Sequence, residues 1–380
     1  MSVNPDVVVI GGGIVGLAIS WRAAASGLAV TLCDGAHSGW ASWAAAGMLA
    51  PVTEVHYGEE ALLQLNLDGS RRWRSFAAQL AEASGHDPGY RECGAVLVAR
   101  DADDLAALHA LLRFQRELGL QVEPLGSREL RALEPGLAPG VRGGIHVSGD
   151  HQVDNRACIA ALQAACEQMG VAVRAGRVSG LLLQGERVTG VRLDSGSAIS
   201  AGAVALSAGC WSGQLEGIDP RALPPVRPVK GQLLHLRGTA VPPLATHIVR
   251  GLDCYVVTRP DGRVVAGATV EEQGFDLTPT AGAVHDLLRD ARDLLPGIAE
   301  LDFVEVAVGL RPGTPDNAPV IGPAPGLDGL VYATGHYRNG VLLAPITADL
   351  IAQLLDTGKL PEQAAAFAPE RFTSRHQWLP

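Results

Sequence analysis

The first residues with a recognisable chemistry form a glycine-rich loop near the start of the chain. Residues 11–16, GGGIVG, fit the pattern GxGxxG and stand between a β-branched run and a helical pattern. Gly11 permits a tight turn, Gly13 lets the backbone approach a pyrophosphate, and Gly16 lets the helix pack close to the sheet. The N-terminus of the helix attracts phosphate charge. The loop therefore predicts a dinucleotide site.

An acidic residue stands where a ribose would need it. Asp34 follows Gly11 by 23 residues, at the end of a second apolar run, and Gly35 comes next. A carboxylate at this place accepts hydrogen bonds from ribose hydroxyls and disfavours a 2′-phosphate, which argues against NADP. On these residues alone, FAD and NAD both remain open.

A run of small residues follows the predicted βαβ unit. Residues 41–51 read ASWAAAGMLAP. Small side chains let the backbone lie against a flat ring or a diphosphate, and Ser42 can donate to a phosphate oxygen. The alternative interpretation is a close-packed helix N-terminus without a ligand.

Alternating patterns indicate the elements that must position these residues. Residues 6–10 and 28–33 are predicted strands, and residues 14–26 form the helix between them. Further helices are predicted at 59–84, 101–118, 127–133, 154–169, 280–295 and 340–356. Further strands are predicted at 95–99, 171–174, 178–183, 188–193, 198–206, 304–310 and 331–334, with a β-rich stretch at 231–268 and a crossing segment at 220–230. The pattern predicts an α/β fold.

Composition limits the classes of partner. The net charge is −10 and aromatic residues make up 4%, which argues against nucleic acid because phosphate binding needs clustered Lys and Arg. Six scattered cysteines without a CxxC pair and the lack of a basic leader favour a reduced, cytoplasmic protein. No apolar run is expected to span a membrane. The histidines lack ligand spacing, so no metal site is expected.

Two C-terminal motifs make the chain resemble a known family. Residues 309–322 read GLRPGTPDNAPVIG and residues 333–345 read ATGHYRNGVLLAP. Together with GGGIVG, SWAAAGMLAP and VKGQ at 229–232, they resemble flavoenzymes of the D-amino-acid oxidase type. The similarity covers essentially the whole chain and is greatest to the bacterial glycine oxidases of thiamine biosynthesis.

The resemblance implies FAD as a non-covalent cofactor, since the sarcosine oxidase relatives tether flavin through a late cysteine and none follows Cys254 here. It implies a Rossmann-like FAD-binding domain (residues 1–85, 146–225 and 305–380) interleaved with an α+β substrate-binding domain (residues 86–145 and 226–304). Combined with the glycine loop, it implies these cofactor-binding residues: Gly11, Gly13, Ile14, Val15, Gly16, Asp34, Gly35, Ala41, Ser42, Ala46, Gly47, Met48, Val178, His336, Tyr337, Arg338, Asn339, Gly340, Val341 and Leu342.

The same resemblance implies the substrate residues. Arg311 would hold the substrate carboxylate, Arg338 would lie in the same region, and Tyr255 and Met48 would close the pocket around a small amino acid. No side chain is expected to act as a catalytic acid or base, and we expect His336 to structure its loop. Asp253 and Val270 stand where relatives carry histidine and methionine, which places the substrate range in question.

The implied reaction is oxidative deamination of glycine or another small amine. Hydride passes from carbon to flavin N5, oxygen reoxidises the flavin with release of hydrogen peroxide, and the imine hydrolyses or is handed to a thiazole synthase. Two alternatives stay open: a D-amino-acid dehydrogenase or sarcosine oxidase-like enzyme, and a non-catalytic FAD-binding module. A homo-oligomer is expected.

Overall fold

A computed structural model describes residues 4–35, 39–216, 218–219 and 222–372. The strands of this part are β1 Val7–Ile10, β2 Val30–Asp34, β3 Met48–Leu49, β4 Ala95–Ala99, β5 Glu123–Gly126, β6 Gly143–Val147, β7 His151–Gln152, β8 Ala172–Ala175, β9 Val178–Gln184, β10 Arg187–Leu193, β11 Ala198–Ser200, β12 Ala203–Leu206, β13 Arg227–Arg237, β14 Ile248–Arg250, β15 Tyr255–Thr258, β16 Arg263–Gly267, β17 Asp302–Gly313, β18 Val320–Pro323 and β19 Leu330–Thr334.

The α-helices are α1 Ile14–Ala25, α2 Ala41–Ala44, α3 Glu60–Ser84, α4 Ala102–Glu117, α5 Ser127–Leu133, α6 Asn155–Gln168, α7 Ala281–Leu294 and α8 Gly340–Thr357. Short 3-10 helices cover Gly209–Gln214, Pro296–Glu300, Tyr337–Asn339, Glu362–Phe367 and Pro369–Phe372.

The first sheet carries the glycine loop. Its order is β18-β19-β12-β1-β2-β8, with β1 parallel to both β12 and β2. All four residues of β1 are buried, as expected for a parallel strand that is covered on both faces. Helices α1, α3, α6 and α8 contribute to the core on one face, and the β9–β11 sheet packs on the other. The predicted βαβ unit is therefore the centre of this sheet.

Helix α8 is strongly apolar, and its burial in the protein accounts for that composition. Within the part of the chain that the structure describes, the stretch Tyr337–Thr357 is apolar and long enough to cross a membrane by length and composition, but most of it is buried in the protein. It contains α8, which contributes to the same core as α1 and α3. The burial explains the apolar composition as that of a core helix.

The second sheet is larger and mostly antiparallel. Its order is β17-β13-β16-β15-β14-β4-β6-β5. β13 and β17 pair from Arg227–Gly313 to Arg237–Asp302, and α7 packs near β13 and β16. The predicted boundaries after residues 145 and 304 would each cut a strand of this sheet. We therefore propose moving both so that β6 and β17 stay whole within the second unit.

Most predicted elements appear within a few residues of their expected ends, and two differ. The predicted strand 198–206 is two strands, β11 and β12, because Gly202 packs against the backbone of Asp6 and breaks the run. The end of the predicted crossing segment belongs to β13, while residues 220 and 221 lie outside the described part. The strands that were not predicted are β3, β5, β6, β7 and β18.

Candidate cofactor and substrate site

The glycine loop leaves no room for side chains. Gly11 has φ +107°, and a Cβ there would lie 2.6 Å from the Ser207 carbonyl oxygen. A Cβ on Gly16 would lie 2.6 Å from Ser207 Oγ and still closer to the carbonyl oxygen of Gly11. The physical roles assigned to Gly11 and Gly16 therefore match the packing that the structure has at this turn.

Asp34 lies directly beside this loop. A Cβ on Gly12 would meet its Cγ at 2.6 Å. The N-cap residue of α1, Gly13, has no side chain to cap the helix, and the Ile14 amide donates instead to Ser42 Oγ at 3.1 Å. Ser42 is thus an acceptor in this contact, and its own hydroxyl proton remains to be donated. Backbone donors and a carboxylate meet at one place, as a dinucleotide requires.

The small-residue segment is a four-residue helix followed by extended backbone, and its path is held from outside. Gly47 has φ +70°, and its carbonyl oxygen accepts from the Val153 amide at 2.8 Å. Arg259 is only 3% exposed and donates to the Ala46 carbonyl at 2.7 Å and to Gln152 Oε1 at 2.6 Å. Burial lowers the pKa of Arg259 to about 10. Sequence reasoning missed this buried arginine, which carries no motif.

The loop before α8 is ordered by a buried histidine. His336 is 3% exposed, and its Nε2 lies 3.0 Å from Oγ1 of Thr347, a residue of α8. Burial lowers the pKa of His336 to about 3. Tyr337 takes the left-handed conformation, with φ +48°, and no side chain caps α8. A neutral, hydrogen-bonded imidazole fits the expected loop-structuring role.

These elements enclose one cavity of about 520 Å³. The predicted residues that line it are Gly11, Gly13, Ile14, Val15, Asp34, Gly35, Ala41, Ser42, Ala46, Gly47, Met48, Val178, Tyr255, Arg311, His336, Tyr337, Arg338, Asn339, Gly340, Val341 and Leu342. Gly16 is the exception, since it packs behind the loop. The cavity thus brings residues from both sheets together.

At the second sheet, Gly231 and Gly309 form part of the cavity floor. The Arg311 guanidinium lies over Gly231, where a Cβ would be 2.5 Å from Cζ and Nη2. Nη1 of Arg311 donates to the Thr269 carbonyl at 3.0 Å, with a longer contact of 3.4 Å to the Lys230 carbonyl. Arg311 has no carboxylate partner in the described residues. Its remaining N–H groups are therefore open for an anion.

Lys230 and Gln232 explain the VKGQ motif from the opposite face of β13. Lys230 is 1% exposed, and its Nζ donates to Asp276 Oδ2 at 2.5 Å and to the Thr278 carbonyl at 2.6 Å. Gln232 Oε1 accepts from the Thr280 amide at 2.9 Å. We call residues 269–280 the strap. Because side chains alternate along a strand, the residues on either side of Gly231 hold the strap that orients Arg311.

Tyr255 lies on β15, two strands away from β13 in the same sheet. A Cβ on Gly267, its partner in the β15–β16 ladder, would be 2.8 Å from the tyrosine hydroxyl. Burial raises the pKa of Tyr255, and the Arg311 charge counteracts part of that rise. Arg250 is the partner of Tyr255 on β14, and it forms an ion pair with Glu54.

Other cavity residues carried no sequence signal. The wall also contains Glu54, His56, Arg177 and Arg250. Only the tertiary fold brings these residues to the cavity. Asp253 and Val270 also line the cavity and are exposed. Asp253 Oδ2 accepts a hydrogen bond from Arg100 Nη2 at 3.1 Å, so it tethers the β14–β15 turn.

Three cysteines line the cavity, and all three are buried. Burial raises the pKa of Cys33 to about 11 and the pKa of Cys210 and Cys254 to about 12. These thiols stay protonated at neutral pH, and the thiolate is the reactive form.

Within the described residues there is also no cluster of three His, Cys, Asp or Glu that could hold a metal.

Together these features define a class of protein. The first sheet contributes the glycine loop, where a dinucleotide can bind. The second sheet lines the same cavity with the Arg311 guanidinium, which has no carboxylate partner in the described residues, and with the Tyr255 phenol. The chain belongs to the DAO family of FAD dependent oxidoreductases, whose model matches residues 6–354. The cofactor is therefore FAD, and the glycine loop, the N-termini of α1 and α8 and Asp34 fit it.

Relatives agree with this membership. The chain is 35% identical to the glycine oxidase of Pseudomonas aeruginosa over 96% of this chain and 98% of that protein. It is 36% identical to the bifunctional protein ThiO/ThiG of a Synechocystis species over 98% of this chain, but it spans only 55% of that relative's length. The crystal structure of glycine oxidase from Geobacillus kaustophilus superposes with a TM-score of 0.87 at 32% identity, covering 96% of this chain and 98% of that one. The predicted fold class, family and enzyme class are confirmed.

Proposed function

We propose that this enzyme oxidises glycine and other small amino acids, with oxygen as the electron acceptor. The overall change is glycine, oxygen and water to glyoxylate, ammonia and hydrogen peroxide. The observation that carries the proposal is Arg311, a cavity-lining guanidinium without a carboxylate partner in the described residues. The names of the glycine oxidase relatives support the same substrate.

Arg311 would bind the substrate carboxylate. Its fork can hold both oxygens, and such charge-assisted pairs are stronger and more directional than neutral hydrogen bonds. The Thr269 carbonyl fixes one side of the fork, which orients the open side. Holding the carboxylate at one place also fixes the direction of the Cα–H bonds, and this pre-orientation lowers the barrier.

FAD supplies the two-electron acceptor for this oxidation when it is bound. The chain would hold its phosphates at the N-terminus of α1, with Ser42, and its ribose at Asp34. Non-covalent binding is part of the proposal, supported by the protonated cavity thiols.

The reaction needs no acid or base from His336. Its Nε2 faces Thr347 and its ring is buried, so it has neither the exposure nor the pKa of a proton carrier near neutral pH. Tyr255 and Met48 would limit the space beyond the substrate Cα. Glycine and sarcosine should therefore be preferred over D-phenylalanine, although a pocket that excludes by volume filters by only ~1–3 kcal/mol per methylene.

The test uses the yellow holoenzyme under anaerobic conditions. Glycine should bleach the flavin, and air should restore it with hydrogen peroxide. Arg311→Ala should retain FAD but weaken glycine binding ~30- to 1000-fold, from the loss of ~2–4 kcal/mol. Arg237→Ala, on the same strand pair but outside the cavity wall, is the matched control. Normal glycine affinity in Arg311→Ala would contradict the assignment.

The finer expectations remain proposals. The fusion named ThiO/ThiG supports a hand-off of product to a thiazole synthase, which co-purification and an imine-trapping assay would test. A homo-oligomer and a cytoplasmic location are predictions that light scattering and cell fractionation check. A D-amino-acid dehydrogenase would give no peroxide in air, and a non-catalytic module would not bleach with any amine.

A further inference from the structure

The cavity wall holds a carboxylate that the proposed reaction does not yet use. Glu54 lines the cavity with its side chain 14% exposed. Arg250 Nη1 donates to its Oε1. Within the described residues no hydrogen bond is made to the other oxygen, Oε2. Oε2 is also absent from the group of fully buried polar atoms that lack a partner, so it keeps some exposed surface. One carboxylate oxygen is therefore free towards the cavity.

The turn that carries Glu54 is fixed from behind. Asp150, which is fully buried, accepts from the Val52 amide at 3.1 Å and the Thr53 amide at 2.8 Å. Gln115 Nε2 donates to the Val52 carbonyl at 3.0 Å, and the Glu54 amide donates to the Ala50 carbonyl at 3.1 Å. These contacts hold the carboxylate at one position in the wall.

The position is close to the proposed carboxylate site. Arg250, the ion-pair partner of Glu54, stands directly opposite Tyr255 in the β14–β15 ladder. Directly paired residues in an antiparallel ladder present their side chains to the same face, with Cβ atoms about 5 Å apart. The charges of Arg311 and Glu54 both reach the Tyr255 phenol, with opposite effects on its pKa. The phenol thus lies within reach of a cation and an anion.

Glu54 is ionised at neutral pH. Burial alone would raise its pKa, but the Arg250 and Arg338 charges outweigh burial and hold the pKa below the ordinary value. An ionised carboxylate can only accept hydrogen bonds. The other acids of the wall stand elsewhere: Asp34 is at the glycine loop, and Asp253 is 67% exposed and paired with Arg100.

An amino acid presents a protonated amine about one carbon away from its carboxylate. A site that binds the carboxylate through Arg311 therefore needs an acceptor for the amine nearby, since an unpaired ammonium in a cavity is costly. We propose that Glu54 accepts the hydrogen bond of the substrate amine and makes the site select amino acids over plain carboxylates and hydroxy acids. This inference rests on the proposed function.

The experiment compares ligands that differ in the amine. Acetate and glycolate carry the carboxylate alone, and glycine carries both groups. Their dissociation constants are measured on the holoenzyme, from the flavin spectrum for acetate and glycolate and from saturation of anaerobic bleaching for glycine. Glu54→Gln should weaken glycine ~10- to 100-fold, the loss of one hydrogen bond to a charged group. Acetate should bind as well as before or more tightly, because Arg250 loses its counter-ion.

Two further variants separate the proposed role of Glu54 from a general effect of removing a charge. Asp253→Asn removes an acid at the edge of the same cavity and should leave the glycine-to-acetate ratio unchanged. Glu54→Gln/Arg250→Gln removes both members of the pair, so no buried charge is stranded, and it should still lose the preference for glycine.

Equal weakening of glycine and acetate in either Glu54 variant would mean a structural role and overturn the proposal, as would an unchanged ratio. If wild-type flavin is not bleached by glycine, the proposed function fails separately. The spectral binding of glycine against acetate then still decides the role of Glu54.

Discussion

Gly231→Ala is the smallest change that should separate substrate binding from folding. The new Cβ would lie 2.5 Å from Cζ and Nη2 of Arg311. Carbon and nitrogen atoms at van der Waals contact are about 3.5 Å apart, so the guanidinium must retreat by about 1 Å. Its Nη1 would then leave the Thr269 carbonyl that orients it.

The fold should tolerate the substitution. The atoms that must move are the far end of a flexible side chain, and Gly231 lies within the long β13–β17 ladder opposite Gly309. Its φ is outside the left-handed region, so alanine can take the same backbone conformation. Losing a glycine also reduces the entropy of the unfolded chain, worth about 0.4–1 kcal/mol. We expect the melting temperature and flavin content to stay close to wild type.

Substrate binding should not tolerate it. A misplacement of about 1 Å in a positioning group costs up to ~10²-fold. We therefore expect the dissociation constants of acetate and glycine to rise ~10- to 100-fold, measured from the flavin spectrum and from anaerobic bleaching. Gly238→Ala is the control, because its Cβ would crowd Leu301 Cδ2 at 2.6 Å, away from the cavity. Wild-type affinity for acetate in a flavin-loaded Gly231→Ala enzyme would refute the reasoning.

Further predictions follow from single contacts. Lys230→Met should loosen the strap and raise the KM for glycine several-fold with little change in kcat. The control Lys359→Met, at an exposed position, should leave both constants unchanged. The same KM for glycine in the two variants would contradict the strap's role. His336 has a pKa of about 3 when folded and ~6.5 when unfolded, so the unfolded chain binds the extra proton and stability should fall as the pH drops from 6.5 towards 3; thermal melts of His336→Gln against pH should show a shallower fall. Acid precipitation should leave all flavin in the supernatant, and flavin in the pellet would disprove non-covalent binding. L-alanine should give no peroxide, because with its carboxylate on Arg311 the side chain would replace the Cα–H, and turnover would refute this geometry.

Some of the site could be predicted from local chemistry alone. The loop at residues 11–16 works through backbone geometry, and glycines followed by a helix specify that geometry within a few residues. His336 and Arg311 stand in motifs specific enough to indicate the family, which the match to residues 6–354 confirms. Periodicity also predicted α1, α3, α6 and α8 within a few residues, because each buries an apolar face.

The sequence by itself therefore determined the fold class, the family and, through the family, the cofactor. The tertiary structure decided what lies between them. Glu54, Arg250 and Arg259 belong to segments about 200 residues apart and meet only because β14 and β15 fold beside the turn after β3. A buried charge is stabilised by its partner in space, and that partner leaves no trace in the local pattern. The strap shows the same dependence on tertiary structure. A lysine is ordinarily a surface residue, and Lys230 is buried because Asp276 and the Thr278 carbonyl bind its ammonium.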